Sequence, residues 1–249
     1  MELELAGRVA LVTGAGRGIG AAIARELARE GCDVALVDLC ASGAAEELAA
    51  ELRGLSHRAI ALQADVRDFA AAEETVAAVI AELGRLDILV CNAGITRDAV
   101  TWKMSEQAWD DVLAVNLTGC FAYCRAAAPP LRAQGSGRIV TIASINGMRG
   151  KFGQANYAAS KAGVIALTKT LARELGRAGV TVNCVAPGMV RTEMTTTLPA
   201  SVVESATQES VLGRIAEPED VANVVAFLCS ARARHVTGTV IQVDGGQYI

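Results

Sequence analysis

Tyr157 and Lys161 stand four residues apart in the run Tyr157-Ala-Ala-Ser-Lys161, at the head of a stretch, 158–177, whose apolar spacing predicts a helix. Four residues make about one helical turn, so the phenol and the amine project from the same face. A free phenol titrates near pH 10, too high to exchange a proton readily near neutrality. A neighbouring ammonium favours the phenolate, and a shift of about 3 units corresponds to roughly 4 kcal/mol of differential stabilisation. The chemistry expected of the pair is proton exchange with an oxygen whose carbon gains or loses a hydride. Ser144 follows a strand candidate at 139–142. At the carboxyl end of a sheet its hydroxyl can hold the same oxygen as negative charge develops.

A hydride must come from somewhere, and the N-terminal run Val9-Ala-Leu-Val-Thr13-Gly14-Ala-Gly16-Arg17-Gly18-Ile19-Gly20 suggests the source. A strand enters a glycine-rich turn and a helix begins at once. Side chains there would keep the backbone away from a pyrophosphate, while the helix N-terminus offers free N–H groups and partial positive charge. Asp38 ends the next strand candidate, roughly 20 residues on, where an acid accepts hydrogen bonds from the adenosine ribose. Its carboxylate would repel a 2′-phosphate, so NAD is expected over NADP. Arg17 pulls the other way, because a guanidinium pairs with phosphate.

These residues need a scaffold that brings them to one edge. Strand candidates fall at 9–12, 34–37, 59–62, 88–90, 139–142, 180–185 and 240–243, and read as nearly continuous apolar runs. Helical patterns at 21–30, 44–53, 70–83, 106–128, 158–177 and 218–229 alternate with them. Gly31, Gly54, Gly84 and Gly179 are expected to end helices in the left-handed region, and Pro218 to start one. The pattern predicts a single α/β domain over 1–249, a Rossmann-type doubly wound parallel sheet with helices on both faces.

Composition narrows the classes further. Hydrophobic residues make up 52% of the 249 and charged residues 20%, enough for a large core. A net charge of -4 gives no basic footprint for nucleic acid. The acidic N-terminus does not fit a signal peptide, and the longest apolar run, 221–228, is too short for a bilayer and reads as a buried helix. Seven cysteines without a CxxC pair, with two isolated histidines, read as reduced core thiols, so no metal is expected and the cytoplasm is the default compartment.

The combined motifs resemble the short-chain dehydrogenase/reductases along essentially the whole chain. Thr13-Gly14-Ala-Gly-Arg-Gly18-Ile-Gly20 matches the family's phosphate loop, and Asp65-Val66 its adenine contact. Asn92-Ala93-Gly94 matches a motif after the fourth strand, with Cys91 where the family more often has Asn. Tyr157-Ala-Ala-Ser-Lys161 with Ser144 and Asn116 matches the catalytic set. Pro187-Gly188-Met-Val190-Arg-Thr192 matches the segment that contacts the nicotinamide. The resemblance implies that Asn116 positions a water in a proton relay to Lys161, that Lys161 also binds the nicotinamide ribose, and that Thr192 holds the carboxamide.

The runs 92–98, Gly153-Gln154-Ala-Asn156-Tyr157 and 237–246 look most like 3-oxoacyl thioester reductases, with Gln154 beside the substrate. Members of that group in fatty-acid synthesis prefer NADPH and dock the carrier protein through basic residues, here replaced by Gly135 and Ala178 with Arg132 and Arg177 nearby. Asp38 and these replacements favour an NAD-linked hydroxyacyl-CoA dehydrogenase. The alternatives are an NADPH-dependent acyl-carrier-protein reductase, a dehydrogenase of another small or cyclic secondary alcohol, and a non-catalytic NAD-binding protein. The segment 192–208 is expected to form a substrate lid, with Met194, Leu198 and Val202 available to line it. The resemblance further implies a homotetramer built on helices 106–128 and 158–177.

Overall fold

The computed structural model describes residues 3–39, 41–54, 57–196 and 198–249; Cys40 and the side chains of residues 41, 42 and 194 lie outside that set. Seven strands form one parallel sheet: β1 (Val9–Thr13), β2 (Asp33–Asp38), β3 (Ala59–Gln63), β4 (Ile88–Cys91), β5 (Gly137–Ile142), β6 (Val180–Pro187) and β7 (Val240–Val243), in the spatial order β3-β2-β1-β4-β5-β6-β7. The order turns at β1 and β4, whose Leu11 and Leu89 pair. Ligands of such sheets bind beyond the carboxyl ends of the strands at that reversal.

Both faces of the sheet are covered, so alternate residues of one strand serve different cores. Ala10 and Val12 join one apolar cluster, with α1 (Gly18–Arg29), α2 (Glu46–Gly54) and α10 (Pro218–Cys229). Val9 and Leu11 join the other, with α3 (Phe69–Leu83), α5 (Gly119–Gln134) and α7 (Ala155–Leu175). Buried Ala21, Ala22, Ala24 and Ala28 give α1 a side-chain-poor face on the first cluster. The remaining helices are α4 (Glu106–Leu113), α6 (Asn146–Arg149), α8 (Glu193–Thr196) and α9 (Ala200–Glu209).

Caps fix several of these boundaries. Asp68 accepts from the N–H groups of Ala70 and Ala71, and Ser105 from that of Ala108, each meeting donors that a first helical turn leaves free. Asp220 accepts from the Glu217 N–H across the first turn of α10, where Pro218 stands.

Three expectations need correcting. Gly31, Gly84 and Gly179 have φ of 92°, 88° and 73°, but Gly54 closes α2 without entering the left-handed region. The stretch 106–128 is not one regular helix: a π-turn over Ala114–Thr118 separates α4 from α5, which runs on to Gln134 through Pro129 and Pro130. Helix α7 begins at Ala155, so Tyr157 lies inside its first turn.

Candidate active site

The glycine loop links β1 to α1 and is clamped from β4. The Asn92 side-chain amide donates to the carbonyls of Thr13 and Gly14, both at 3.0 Å. In return, the Thr13 hydroxyl accepts from the N–H groups of Asn92 and Ala93. Gly14 has φ of 63°, and a Cβ on it would lie 2.8 Å from the Ala93 Cα. Gly18 has φ of 55°, and its missing Cβ would meet Thr192 Cγ2 at 3.3 Å. The loop in front of the N-terminus of α1 is thus a cradle of bare backbone, Gly14 against Ala93 and Gly18 against Thr192, that added side chains would invade. This is the shape and polarity a dinucleotide pyrophosphate requires.

Asp38 closes the other end of that cradle. Its Oδ2 accepts the Gly16 N–H at 3.0 Å and its Oδ1 the Leu39 N–H at 2.8 Å. Arg17 reaches across to Glu193 of α8 at 3.4 Å, with both side chains at least 70% exposed. A pair so exposed is worth at most about 1 kcal/mol. Asp65 is turned to Arg67 at 2.6 Å, and the guanidinium's hydrogen bonds hold its carboxyl below the usual range. Val66 packs where a Cβ on Gly119 would fall.

The catalytic candidates gather beyond β4, β5 and β6. Lys161 is buried, and its Nζ donates to the Ile142 carbonyl at the end of β5, at 2.8 Å. Ser144 is buried two residues further on; its Oγ accepts the Asn146 N–H at 3.2 Å, and its hydroxyl hydrogen-bonds with the Tyr157 phenol. Asn116 sits in the π-turn: its Oδ1 accepts from Ile95 N–H, and its Nδ2 donates to the Ile95 carbonyl and to Ser160 Oγ. A Cβ on Gly94 would lie 3.4 Å from both Asn116 Oδ1 and Lys161 Nζ, so the two groups face the same point. Such π-bulges are frequent where a helix must aim a functional side chain. From sequence Asn116 is only a polar residue within a helix.

Tyr157 is where the expected chemistry changes. Its ring centroid lies 5.7 Å from Lys161 Nζ. Burial pushes the phenol pKa up; hydrogen bonding with Ser144 opposes this, and the charge of Asp98 adds to the rise. Burial likewise lowers the Lys161 pKa. Desolvation, not the neighbouring ammonium, is thus the largest influence on the phenol here, opposite in direction to the acidification expected from the Lys161 spacing.

Three groups that sequence reasoning left without a role hold this arrangement. Asn156, fully buried, donates to the carbonyls of Arg97 and Ala108 and accepts from the Tyr157 N–H at 2.8 Å. Ser160 donates to the Tyr157 carbonyl. Asn146 donates to Gln154 Oε1, and Gln154 donates to Asp98 Oδ2, forming a chain along the substrate side. Their signal was present in sequence only as polar residues beside Tyr157.

The segment 187–192 is docked on β7 and the chain beside it. Pro187 accepts from Ile145 N–H, Gly188 donates to Val243, and Val190 bridges to Ala216. The expected lid comprises α8 and α9; Leu198 is 38% exposed and Val202 half-buried, while the Met194 side chain lies outside the described residues.

Residues 14–247 match the family described as enoyl-(acyl carrier protein) reductase. The chain is 45% identical over 240 residues to a 3-oxoacyl-(acyl-carrier-protein) reductase of Staphylococcus aureus, covering 96% of this chain and 98% of that protein. It is 43% identical over 247 residues to the Thermotoga maritima protein of the same name, covering 99% and 100%. Nodulation protein G of Azospirillum brasilense is 40% identical over 239 residues, covering 96% and 97%. With the parallel sheet, the clamped glycine loop and these matches together, the chain belongs to the short-chain dehydrogenase/reductase family and is an oxidoreductase acting on a CH–OH group.

Proposed function

We propose that the chain reduces a 3-oxoacyl thioester carried by acyl-carrier protein to the 3-hydroxyacyl thioester. The observation that carries this reading is the meeting of Tyr157, its hydrogen-bond partner Ser144 and buried Lys161 beside the glycine cradle. A bound nicotinamide dinucleotide supplies the hydride. Gly14, Gly18, Ile19, Asp38, Asp65, Val66, Asn92, Ala93 and Gly94 would hold its adenosine and phosphate portion. Pro187, Gly188, Val190 and Thr192 would hold its nicotinamide end. Ser144 donates to the ketone oxygen and holds it; the protonated Tyr157 gives that oxygen its proton as negative charge grows. Lys161 and Asn116, facing one point at Gly94, resupply the proton. Gln154, tied to Asp98, borders the substrate.

The carrier is inferred from two supports. The Staphylococcus and Thermotoga relatives are named for acyl-carrier-protein thioesters, and the coenzyme A preference expected from sequence has no comparable support. Exposed Arg132 and Arg177 also lie near the ends of α5 and α7, where Gly179 packs against Gly135, and each offers a positive charge to an acidic carrier. For the coenzyme, the carboxylate of Asp38 favours NADH, a preference that rests on this residue alone and has no support from the named relatives.

The test is steady-state reduction of acetoacetyl-acyl-carrier protein against acetoacetyl-CoA, repeated with R132E/R177E. The carrier-bound substrate is expected to give kcat/KM at least tenfold higher, and the charge reversal to remove that advantage while sparing the CoA ester. Equal rates on both, unmoved by the reversal, would overturn the carrier assignment.

A further inference from the structure

Three thiols lie outside this chemistry but next to it. Cys91 ends β4 immediately before Asn92, and Cys120 and Cys124 lie one turn apart on the face of α5 that packs against it. All three are buried, and their sulfur atoms lie within 4.8 Å of one another, with Cys91 Sγ and Cys124 Sγ at 3.7 Å. Among the described residues no other group of three His, Cys, Asp or Glu side chains converges in this way.

We propose that Cys91, Cys120 and Cys124 form a three-sulfur site for a soft divalent d10 cation of the zinc and cadmium class. Thiolate–zinc bonds of about 2.3 Å place sulfur atoms roughly 3.8 to 4.0 Å apart, for tetrahedral and trigonal arrangements respectively. The Cys91–Cys124 pair at 3.7 Å already has this spacing, and the third sulfur, within 4.8 Å of both, needs to approach by no more than about 1 Å. A disulfide would instead require two of these sulfurs to close to about 2.05 Å. Soft thiolates also select such ions over magnesium or calcium.

Charge favours the divalent ion. Binding displaces one proton from each thiol; three thiolates and a doubly positive ion leave a net charge of minus one. The Lys161 ammonium acts electrostatically on both Cys120 and Cys91, so it offsets that charge. A monovalent ion would leave twice the uncompensated charge in a buried place. The sequence concealed this site because its ligands come from two distant elements, with no CxxC spacing to announce it.

The probe is Cd(II), titrated into the reduced full chain. One ion per chain is expected, with a thiolate-to-cadmium charge-transfer band, release of three protons and competition by Zn(II). C91S, C120S and C124S should each weaken binding at least tenfold, whereas C40S, C184A and C229A should not. The wild-type chain loaded with cadmium-113 gives a second readout that needs no variant: its resonance should report sulfur-rich coordination. Absence of the charge-transfer band, an oxygen-rich cadmium resonance, or equal binding by folded C91S and C124S would overturn the proposal. None of these outcomes depends on which thioester the enzyme reduces.

Discussion

The two sides of the β1–β4 crevice recognise by opposite means. On the β1 side the site is made of missing side chains: Gly14 and Gly18 leave space, and backbone N–H groups at the head of α1 face it. On the β5 side it is made of buried polar side chains, with Lys161, Asn116, Asn156 and Ser160 each tied to a backbone carbonyl. The first side tolerates no added bulk, and the second tolerates no lost partner. A pyrophosphate needs many donors at close approach, which backbone supplies best. A moving proton needs a few groups at fixed positions, which only anchored side chains supply.

The sharpest break should come from Tyr157→Phe, which removes one oxygen and leaves the packing of the ring. Turnover should fall about 10³- to 10⁴-fold, with dinucleotide affinity and thermal midpoint nearly unchanged. Retention of even a tenth of the activity would place proton transfer elsewhere. The pH profile follows from the raised phenol pKa. Burial favours the protonated form, the form that ketone reduction consumes. Reduction should thus stay level from neutral pH upward and decline only above the ordinary phenol value of about 10. Alcohol oxidation, which needs the phenolate, should climb over the same range. A reduction rate already halved at neutral pH would mean a phenol acidified in the working complex.

Asn156→Ala tests whether the polar side depends on anchoring. The change strands two carbonyls and the Tyr157 N–H, so a loss of about 3 kcal/mol in denaturant unfolding is expected. Turnover should drop about 10- to 100-fold in the folded fraction, with KM for the dinucleotide hardly moved. A variant with full kcat would show that Tyr157 holds its place through the helix alone.

Gly14→Ala tests the empty side. The left-handed conformation costs an alanine roughly 1–2 kcal/mol, and contact with the Ala93 backbone adds roughly 1–3 kcal/mol. Dinucleotide affinity should fall at least tenfold, since the loop must retreat from Ala93. Gly54→Ala is the control: nothing lies within 4 Å of its missing Cβ, and φ is not positive. It should be neutral or add up to about 1 kcal/mol. Equal destabilisation by both would mean the loop glycine is needed only for chain flexibility.

The same contrast explains what could be read from sequence. The strands of a parallel sheet and the glycine loop announce themselves because local residue type dictates local backbone, and Asp38 ends β2 as expected, although in the fold its Oδ2 accepts the Gly16 N–H. The phenol's acidity was not legible, because it depends on burial and on hydrogen bonding with Ser144, both products of tertiary packing. The π-turn at Asn116 was likewise hidden: an apolar period running through 106–128 does not show one extra residue in the turn. Asn156 and Ser160 were in view as letters, but their partners at Arg97, Ala108 and Tyr157 exist only after folding.

The smallest effect should separate the charges at the end of the cradle. Asp38 accepts two backbone N–H groups, so its carboxylate is fixed at one end of the cradle, while Arg17 is exposed and, among the described residues, pairs with exposed Glu193. A fixed negative charge discriminates against a 2′-phosphate more strongly than a mobile guanidinium attracts one, because the guanidinium loses rotamer freedom when it pairs. Asp38→Asn keeps an acceptor for Gly16 and removes the charge. The NADH-to-NADPH ratio of kcat/KM should shift toward NADPH by about tenfold, equivalent to about 1.4 kcal/mol. Arg17→Ala in the same background should then take back most of the gained NADPH use, leaving NADH unaltered. If Asp38→Asn moves neither coenzyme, the carboxylate serves only to brace the glycine loop, and coenzyme choice passes to Arg17.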